Sequence, residues 1–546
     1  MITIPLQQTK KEPNTNSINL QSLPIITVLS NQQSEEYPTY YDAGYVYKIL
    51  QKLDYNNGVC YNKLNNNCKR NQLSAEKVGS FWFYNSKFRV YDEFMKKQRP
   101  PVSTTHIILL SFLTAILIGA VLLSLPISSA DGKAKPFLDA LFTATTSTCV
   151  TGLVVTPTVT SWSVFGQVVI LILIQIGGLG VITIMSGLTI LLHKKMGIGD
   201  RLLLQDALNL NSLSGLVRFV KRVVAGTLII EGIGALLYMT VFIPEFGAKG
   251  IWISAFTSVS AFCNAGIDII AENSLCDYAL NPVINIVTCA LIILGGIGYI
   301  VWWDVLRVLK NARTKKVKFF RDLTLHSKIA ITATLILIFV GAAFIFAFEY
   351  NNPQTIKDYT LLQKMEVSLF QSVTTRTAGF ATVPQESLTN ASAIVCLLLM
   401  FIGGSPVGTA GGIKTVTFAV IIVAAIASIR NKEDTEVFGR RLTKQAVSKA
   451  VAVTCMSFII MFASTVLLSA TTDANALDIV YETVSATATV GLTRNLTASL
   501  GSAGKLIIIA TMYLGRVGPI SLAVAFKRSK DNQNIIRNPI EEISVG

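Results

Sequence analysis

Four segments rich in Ser and Thr recur along this 546-residue chain at a nearly constant interval, and each runs through polar residues to a glycine. They are FLDALFTATTSTCVTGLVV (137–155), WISAFTSVSAFCNAGIDII (252–270), KMEVSLFQSVTTRTAGFATV (364–383) and ALDIVYETVSATATVGLTRN (476–495). Their glycines, Gly152, Gly266, Gly379 and Gly491, stand 114, 113 and 112 residues apart (266−152, 379−266, 491−379). An internal repeat of this kind sets the architecture before any single motif does. The copies have diverged: the run from Phe142 to Gly152 is one residue longer than that from Phe370 to Gly379.

Each segment lies between two apolar runs of bilayer-spanning length, for which about 20 helical residues suffice. The first runs cover 104–125, 219–242, 327–348 and 446–469; the second cover 163–192, 281–308, 392–429 and 503–526. Composition agrees. The chain is 51% hydrophobic and 14% charged, where a soluble domain carries about 25% charged residues, and its mean hydropathy is +0.52. A soluble enzyme is excluded. The eight cysteines are scattered, with no C-x-x-C pair and no Cys/His cluster, so neither a disulfide framework nor a zinc site is expected.

The first hundred residues differ from the rest, being rich in Asn, Gln, Lys and Tyr. Residues 1–40 have the low hydrophobicity of a disordered tail, while 41–98 hold enough aromatics for either a short amphipathic helix or a partner-binding segment. The N-terminus lacks the charged and then apolar pattern of a cleaved signal peptide, so no removal is expected. The expected organisation is a polar extension over 1–100 and repeat units over 101–200, 201–315, 316–435 and 436–546.

Charge placement decides whether the short segments cross the membrane. The linkers 193–222, 307–328 and 430–449 are basic, with Lys194, Lys195, Arg201, Arg218, Lys221 and Arg222 in the first, and the tail adds Lys527, Arg528 and Lys530. The opposite loops hold few basic residues, such as Lys133, Lys249 and Arg494. The positive-inside rule then puts all three linkers and both termini in the cytoplasm. A third crossing per repeat would send alternate basic linkers outside. Each short segment is therefore expected to dip in and return, since about 12 helical residues reach only about halfway through a bilayer.

Non-helical backbone at membrane depth is tolerated where it is covered by protein or lines a watery path. Four such loops around one axis make a pore. Half-spanning helices would aim the negative ends of their dipoles at the bilayer centre, and backbone carbonyls after them would replace an ion's hydration shell. Carbonyl oxygens select a cation. Glycine suits such a strand because turned-in carbonyls need backbone angles that a β-carbon disfavours. The expected filter residues are Val150, Thr151 and Gly152; Asn264, Ala265 and Gly266; Thr377, Ala378 and Gly379; and Thr489, Val490 and Gly491. None is a carboxylate, which argues against a divalent-cation filter. Arg376 is expected behind the third filter strand, with Glu366 as a candidate partner.

Two features mark the second apolar runs. The stretch FIGGSPVGTAGGIKT (401–415) breaks one of them with Gly403, Gly404, Pro406, Gly408, Gly411 and Gly412, and carries Ser405 and Lys414. No straight helix survives that composition, so an intramembrane gate loop is expected. In the fourth repeat Arg516 falls near the middle of 503–526, where a charge costs about 2.5 to 3.5 kcal/mol on insertion scales. A cation under a cation filter opposes flow, so Arg516 is expected to act as a barrier. An intramembrane serine hydrolase built on Ser405 lacks a base, because His106, His193 and His326 all fall near helix ends. The phosphate-loop pattern is not met by GGIKT.

The motifs TSTCVTGLVV, SAFCNAGID, TTRTAGF and SATATVGLT, followed by GGSPVGTAGGIKT and GRVGPISLA, resemble the Trk/Ktr superfamily of potassium transporters, in its KtrB (NtpJ-like) branch. The resemblance runs from about residue 104 to the end. It implies an all-α polytopic membrane protein of four M1-P-M2 repeats, with eight transmembrane helices and four re-entrant pore loops in pseudo-fourfold arrangement. It further implies K+ as the transported ion, through a filter centred on the four glycines and a gate formed by the loop after Gly403 beside Arg516. Sodium stimulation, a homodimer and a cytosolic ring of nucleotide-binding regulatory subunits (KtrA-like) follow from the same resemblance, with no prosthetic group. A general monovalent cation (Na+) channel and a K+/Na+ symporter are the alternatives. Val407 departs from the family, where a small residue, usually glycine, is expected, and a stiffer loop follows. The net charge of +15 (47 Lys+Arg against 32 Asp+Glu) is placed by these linkers on one face, towards lipid or a protein partner and not nucleic acid.

Overall fold

The computed structural model describes residues 104–191, 197–207, 215–312 and 319–518. The expectations for the polar extension, for much of the first two basic linkers and for the tail lie outside these residues.

The described chain is helical almost throughout. The first runs become single long helices: α1 (Thr104–Ser124), then, after α2 to α5 below, α6 (Leu216–Phe246). The short segments of the first repeat and its second run form α2 (Phe137–Cys149), α3 (Val164–Leu179) and α4 (Val181–Leu191), and α5 (Ile198–Ala207) follows in the linker. The second repeat continues with α7 (Lys249–Cys263), α8 (Pro282–Gly296) and α9 (Tyr299–Ala312). The third holds α10 (Leu325–Glu349), α11 (Leu361–Thr374), α12 (Asn390–Phe401) and α13 (Thr415–Ile429). The fourth holds α14 (Lys444–Ser469), α15 (Ala476–Ala488) and α16 (Ser502–Val517). A small hairpin, β1 (Glu436–Val437) against β2 (Arg440–Arg441), turns through Phe438 and Gly439, both at positive φ, as a two-residue hairpin loop requires.

Helices α1, α6, α10 and α14 are long and apolar enough to cross a membrane. Their apolar side chains face outward as well as inward, with Leu110, Leu236, Phe339 and Phe462 each about 60% exposed (62%, 64%, 64% and 59%), the pattern of a helix solvated by lipid. Local chemistry fixes where several elements start. Thr324, Thr389 and Thr443 accept from backbone N–H groups in the first turns of α10, α12 and α14, and Asn281 does so before Pro282 at the start of α8.

The short helices α2, α7, α11 and α15 carry the core. At equivalent positions each buries one aromatic ring: Phe142, Phe256, Phe370 and Tyr481, none more than 1% exposed. Inside a bilayer such rings stabilise by close packing and not by removal from water. Tyr481 also donates its hydroxyl to Gln385 Oε1 at 3.0 Å.

The structure departs from the sequence reading in the second runs. Those at 163–192 and 281–308 are not single helices: α3 and α4 meet at 96°, and α8 and α9 at 98°. The breaks fall at Gly177-Gly178-Leu179-Gly180 and Gly295-Gly296-Ile297-Gly298, whose last glycines take φ of +85° and +93°, a backbone angle open mainly to glycine. In the fourth run α16 stops at Val517, and Gly518 has φ +91°. Arg516 thus sits in the last turn of a helix.

Candidate functional site

The short helices end together. Each is followed by a residue at positive φ and, two positions later, by a repeat glycine: Val150 and Gly152 (+55° and +97°), Asn264 and Gly266 (+59° and +61°), Thr377 and Gly379 (+67° and +84°), Thr489 and Gly491 (+53° and +97°). The intervening residues, Thr151, Ala265, Ala378 and Val490, do not share the positive sign. This alternation turns successive carbonyls toward one side, which an ordinary strand cannot do. Hydroxyls pin the turns: Thr146 Oγ1 accepts from Gly152 N and Ser485 Oγ from Gly491 N, each at 3.0 Å, while Ser260 Oγ accepts from Ile267 N at 3.1 Å. In the third repeat Thr374 Oγ1 instead donates to Phe380 O at 2.7 Å. There the helix ends five residues before its glycine, against three elsewhere (379−374; 152−149, 266−263, 491−488). A turn through Thr375 and Arg376 takes up the difference.

The four glycines close a ring. A β-carbon added at Gly152 would lie 2.5 Å from Ala265 O, one at Gly266 2.5 Å from Ala378 O, and one at Gly379 2.5 Å from Val490 O. One at Gly491 would come closer still to Thr151 O, which completes the cycle. The carbonyl before each glycine thus meets the glycine of the preceding repeat. All twelve expected filter residues lie in this ring, and eleven are buried, Gly266 being half-buried. Four helix C-termini converge on it, so its potential is negative without a carboxylate.

The loop after Gly403 crosses beside the ring. It is tied to the break in the second repeat by three backbone hydrogen bonds: Ser405 N to Gly296 O (2.7 Å), Tyr299 N to Val407 O (2.9 Å) and Thr409 N to Gly295 O (3.1 Å). Thr409 Oγ1 donates to Phe262 O at 3.1 Å, and Gly411 N donates to Thr377 Oγ1 at 3.2 Å. Gly411 also packs so closely on Ala488 and Thr489 that no side chain would fit there. Arg516 completes the strapping, donating to Thr409 O at 2.7 Å and to Gly177 O at 2.6 Å. It therefore links the fourth repeat to the loop of the third and the break of the first. Lys414 Nζ donates to Ala410 O at 2.6 Å within the loop, and Ser405 Oγ is paired with Thr415 Oγ1 at 2.7 Å. Val407 holds φ +59°, unusual for a β-branched side chain. A cavity of about 500 Å³ opens beside the loop, bordered by Arg516, Lys414, α13 and α14.

Two findings correct or extend the sequence reading. Arg376 does not meet Glu366: Glu366 Oε1 accepts from Asn285 Nδ2 at 2.9 Å, whereas the guanidinium of Arg376 reaches Thr334 Oγ1 at 3.4 Å and is 5% exposed. The breaks at Gly177 and Gly295, and the helix end after Gly515, are additions to the expected site. A β-carbon at each would run into the carbonyl of Thr148, Phe262 or Thr487 respectively, on the last turn of the neighbouring short helix. The signal was present as G-G-L-G, G-G-I-G, G-G-S-P and G-R-V-G at equivalent places in the four repeats.

The profile of the TrkH family, described as "Cation transport protein", matches residues 88–537. The chain belongs to this family. It is 41% identical over 442 residues to the Ktr system potassium uptake protein B of Bacillus subtilis (strain 168), covering 81% of this chain and 96% of that one. To the potassium/sodium uptake protein NtpJ of Enterococcus hirae it is 38% identical over 460 residues, covering 83% and 99%. Among solved structures, that of the potassium transporter TrkH from Vibrio parahaemolyticus is similar at a TM-score of 0.62 and 15% identity, covering 79% of this chain and 86% of that one, a likeness of fold. This TrkH-family chain is thus a multi-pass membrane protein related to transport proteins and not to enzymes.

Proposed function

We propose that the protein carries potassium into the cell through the glycine ring. The single observation that supports this most is the closed cycle in which Gly152, Gly266, Gly379 and Gly491 each meet the carbonyl oxygen of the next repeat. Carbonyl oxygens held at that spacing can replace the hydration shell of a monovalent cation. The names of the relatives supply the ion, potassium for the Bacillus protein and potassium or sodium for the Enterococcus one. In this reading the first runs and the broken second runs are eight membrane crossings, α2, α7, α11 and α15 with their return strands are four re-entrant loops, and both termini are cytoplasmic in the plasma membrane.

The loop from Gly403 to Lys414 is the gate, with Arg516 as its latch and as a fixed positive charge in the path. A homodimer on a cytosolic ring of nucleotide-binding subunits, and stimulation by sodium, belong to the same reading. Sodium as a second transported ion is favoured by one observation, the potassium/sodium name of the relative at 38% identity.

Complementation tests the reading. Cells lacking potassium uptake should grow at low potassium when they express this chain and should fail with Gly379→Ser, in which the new side chain meets Val490 O. Equal growth with properly inserted Gly379→Ser would overturn the filter assignment. Flux of Rb+ and Na+ into liposomes then separates potassium selectivity from general cation passage.

A further inference from the structure

Beside the glycine ring, Arg376 carries a positive charge that no carboxylate meets among the described residues. It stands three positions before Gly379, where the other repeats place the buried residues Cys149, Cys263 and Ala488 (379−376; 152−149, 266−263, 491−488). Only 5% of it is exposed. Its Nε–H finds no acceptor among the described residues, and its terminal nitrogen reaches the Thr334 hydroxyl at 3.4 Å, a long bond to a neutral group. Glu366 is turned to Asn285. A charge buried in this way needs a counter-charge, and the negative end of α11, at Thr374, supplies about half of one.

The guanidinium also has space beside it. Arg376 lines a cavity of about 10 Å³ together with Ile292, Ile293 and Gly296 of α8 and Val373 of α11. The nearest undescribed position along the chain is 313, which is 17 beyond Gly296 (313−296). Comparison with the preceding repeat shows what the arginine changes. There the equivalent pair is Gly178 and Cys263, packed so closely that a β-carbon on Gly178 would lie 2.6 Å from Cys263 Sγ, whereas a β-carbon on Gly296 meets no atom of Arg376 within 4 Å. The longer side chain opens a pocket where the thiol packs flush.

Size and chemistry narrow the occupant. A volume of about 10 Å³ admits one body of about the size of a water molecule, which excludes carboxylates, phosphate and sulfate. Water needs about two to four polar partners. Three of the lining side chains are aliphatic, and the Gly296 carbonyl is already engaged by Ser405 N at 2.7 Å. Water would also leave the charge uncompensated. A monatomic anion asks only for N–H donors and tolerates aliphatic walls.

We propose that this pocket binds one halide ion, chloride in the cell, as the counter-ion of Arg376. Its charge would keep the potential at the ring negative despite the arginine. On the transport reading above the ion therefore supports cation passage, but binding itself does not rest on that reading.

The test uses the full chain purified throughout in bromide, the heavier halide, whose anomalous scattering marks its place. Crystals should show one anomalous peak within hydrogen-bond reach of the Arg376 guanidinium and against Ile292 and Ile293. A pocket without that peak, or filled by water alone, overturns the proposal. Thermal unfolding in nanodiscs reads the same site in solution, on protein purified in each salt. At equal ionic strength Tm should be about 2 °C higher in potassium chloride than in potassium gluconate, whose anion is too large to enter, and the gain should saturate. Equal Tm in the two salts overturns the proposal. Arg376→Gln removes the charge that calls for a counter-ion, so its Tm should be the same in both. A difference as large as the parent's would assign the salt effect to another site and likewise overturn it. Should that variant fail to fold, the bromide peak decides on the parent chain alone.

Discussion

The guanidinium of Arg516 donates to the carbonyl oxygen of Thr409 at 2.7 Å, and so fastens the last helix of the fourth repeat to the irregular loop of the third. Because the same group also reaches Gly177 O at 2.6 Å, one side chain holds three repeats in register beside the glycine ring. Hydrogen bonds to a charged group are worth about 1.5 to 3 kcal/mol each. Losing both is enough to change which loop arrangement predominates.

Arg516→Ala is expected to raise Rb+ uptake into proteoliposomes by about tenfold, since 1.4 kcal/mol already shifts an equilibrium by that factor. Arg516→Lys separates charge from strap. A lysine keeps the positive charge yet cannot span both carbonyls as a fork does, so its uptake should rise less than that of the alanine variant. Unchanged or lower uptake in properly inserted Arg516→Ala would count against the latch.

Val407 supplies a second prediction, on the strain of the loop. A side chain at φ +59° costs about 1 to 2 kcal/mol, and Val407 is held there because its carbonyl accepts from Tyr299 N. Val407→Gly removes that cost while adding about 0.5 to 1 kcal/mol of backbone entropy to be lost on ordering. The relief is the larger effect. The strapped arrangement should gain, and Rb+ uptake should fall by a few-fold; a rise would show that flexibility dominates.

How much of this was legible beforehand depends on what kind of signal carried it. The four short helices and their glycines follow from a near-constant spacing, and all four first runs emerged as helices within four residues of their expected ends (246−242 at the widest), because a long apolar stretch has few other options in lipid. The breaks at Gly177 and Gly295 were hidden for the converse reason: glycines do little to the hydropathy of an apolar run, while the bend depends on a backbone conformation and on a carbonyl from the neighbouring short helix. Arg376 shows the same limit. Glu366 stands ten residues before Arg376 (376−366), but the intervening helix and turn aim the two side chains at different repeats, toward Thr334 and Asn285.

Glu349 gives a stability prediction independent of transport. Its carboxylate ends α10, is 1% exposed, and accepts four hydrogen bonds: from Thr389 N (2.9 Å) and Oγ1 (2.8 Å) on one oxygen, and from Asn352 Nδ2 and Thr355 Oγ1 (both 2.7 Å) on the other. Glu349→Gln turns one acceptor oxygen into an N–H donor facing other donors. The cost should be about 2 to 3 kcal/mol, read as a lower Tm in detergent, with the loop between α10 and α11 becoming the first site of proteolysis.

Glycines that look alike in the sequence should separate sharply on substitution, and this distinguishes the ring from ordinary helix packing. Gly232 lies within α6, and a β-carbon there would meet nothing within 4 Å. Gly232→Ala should therefore keep uptake unchanged and stabilise the helix by up to about 1 kcal/mol, the usual difference between the two residues in a helix interior. Gly491→Ala places its methyl group against Thr151 O at φ +97°, where both the contact and the backbone angle oppose it. That variant should lose the preference for K+ over Na+ in paired flux measurements while still reaching the membrane. If Gly491→Ala discriminated between the two ions as the parent does, the four glycines would be no more than packing residues, and the carbonyl ring would have to be abandoned as the seat of selectivity.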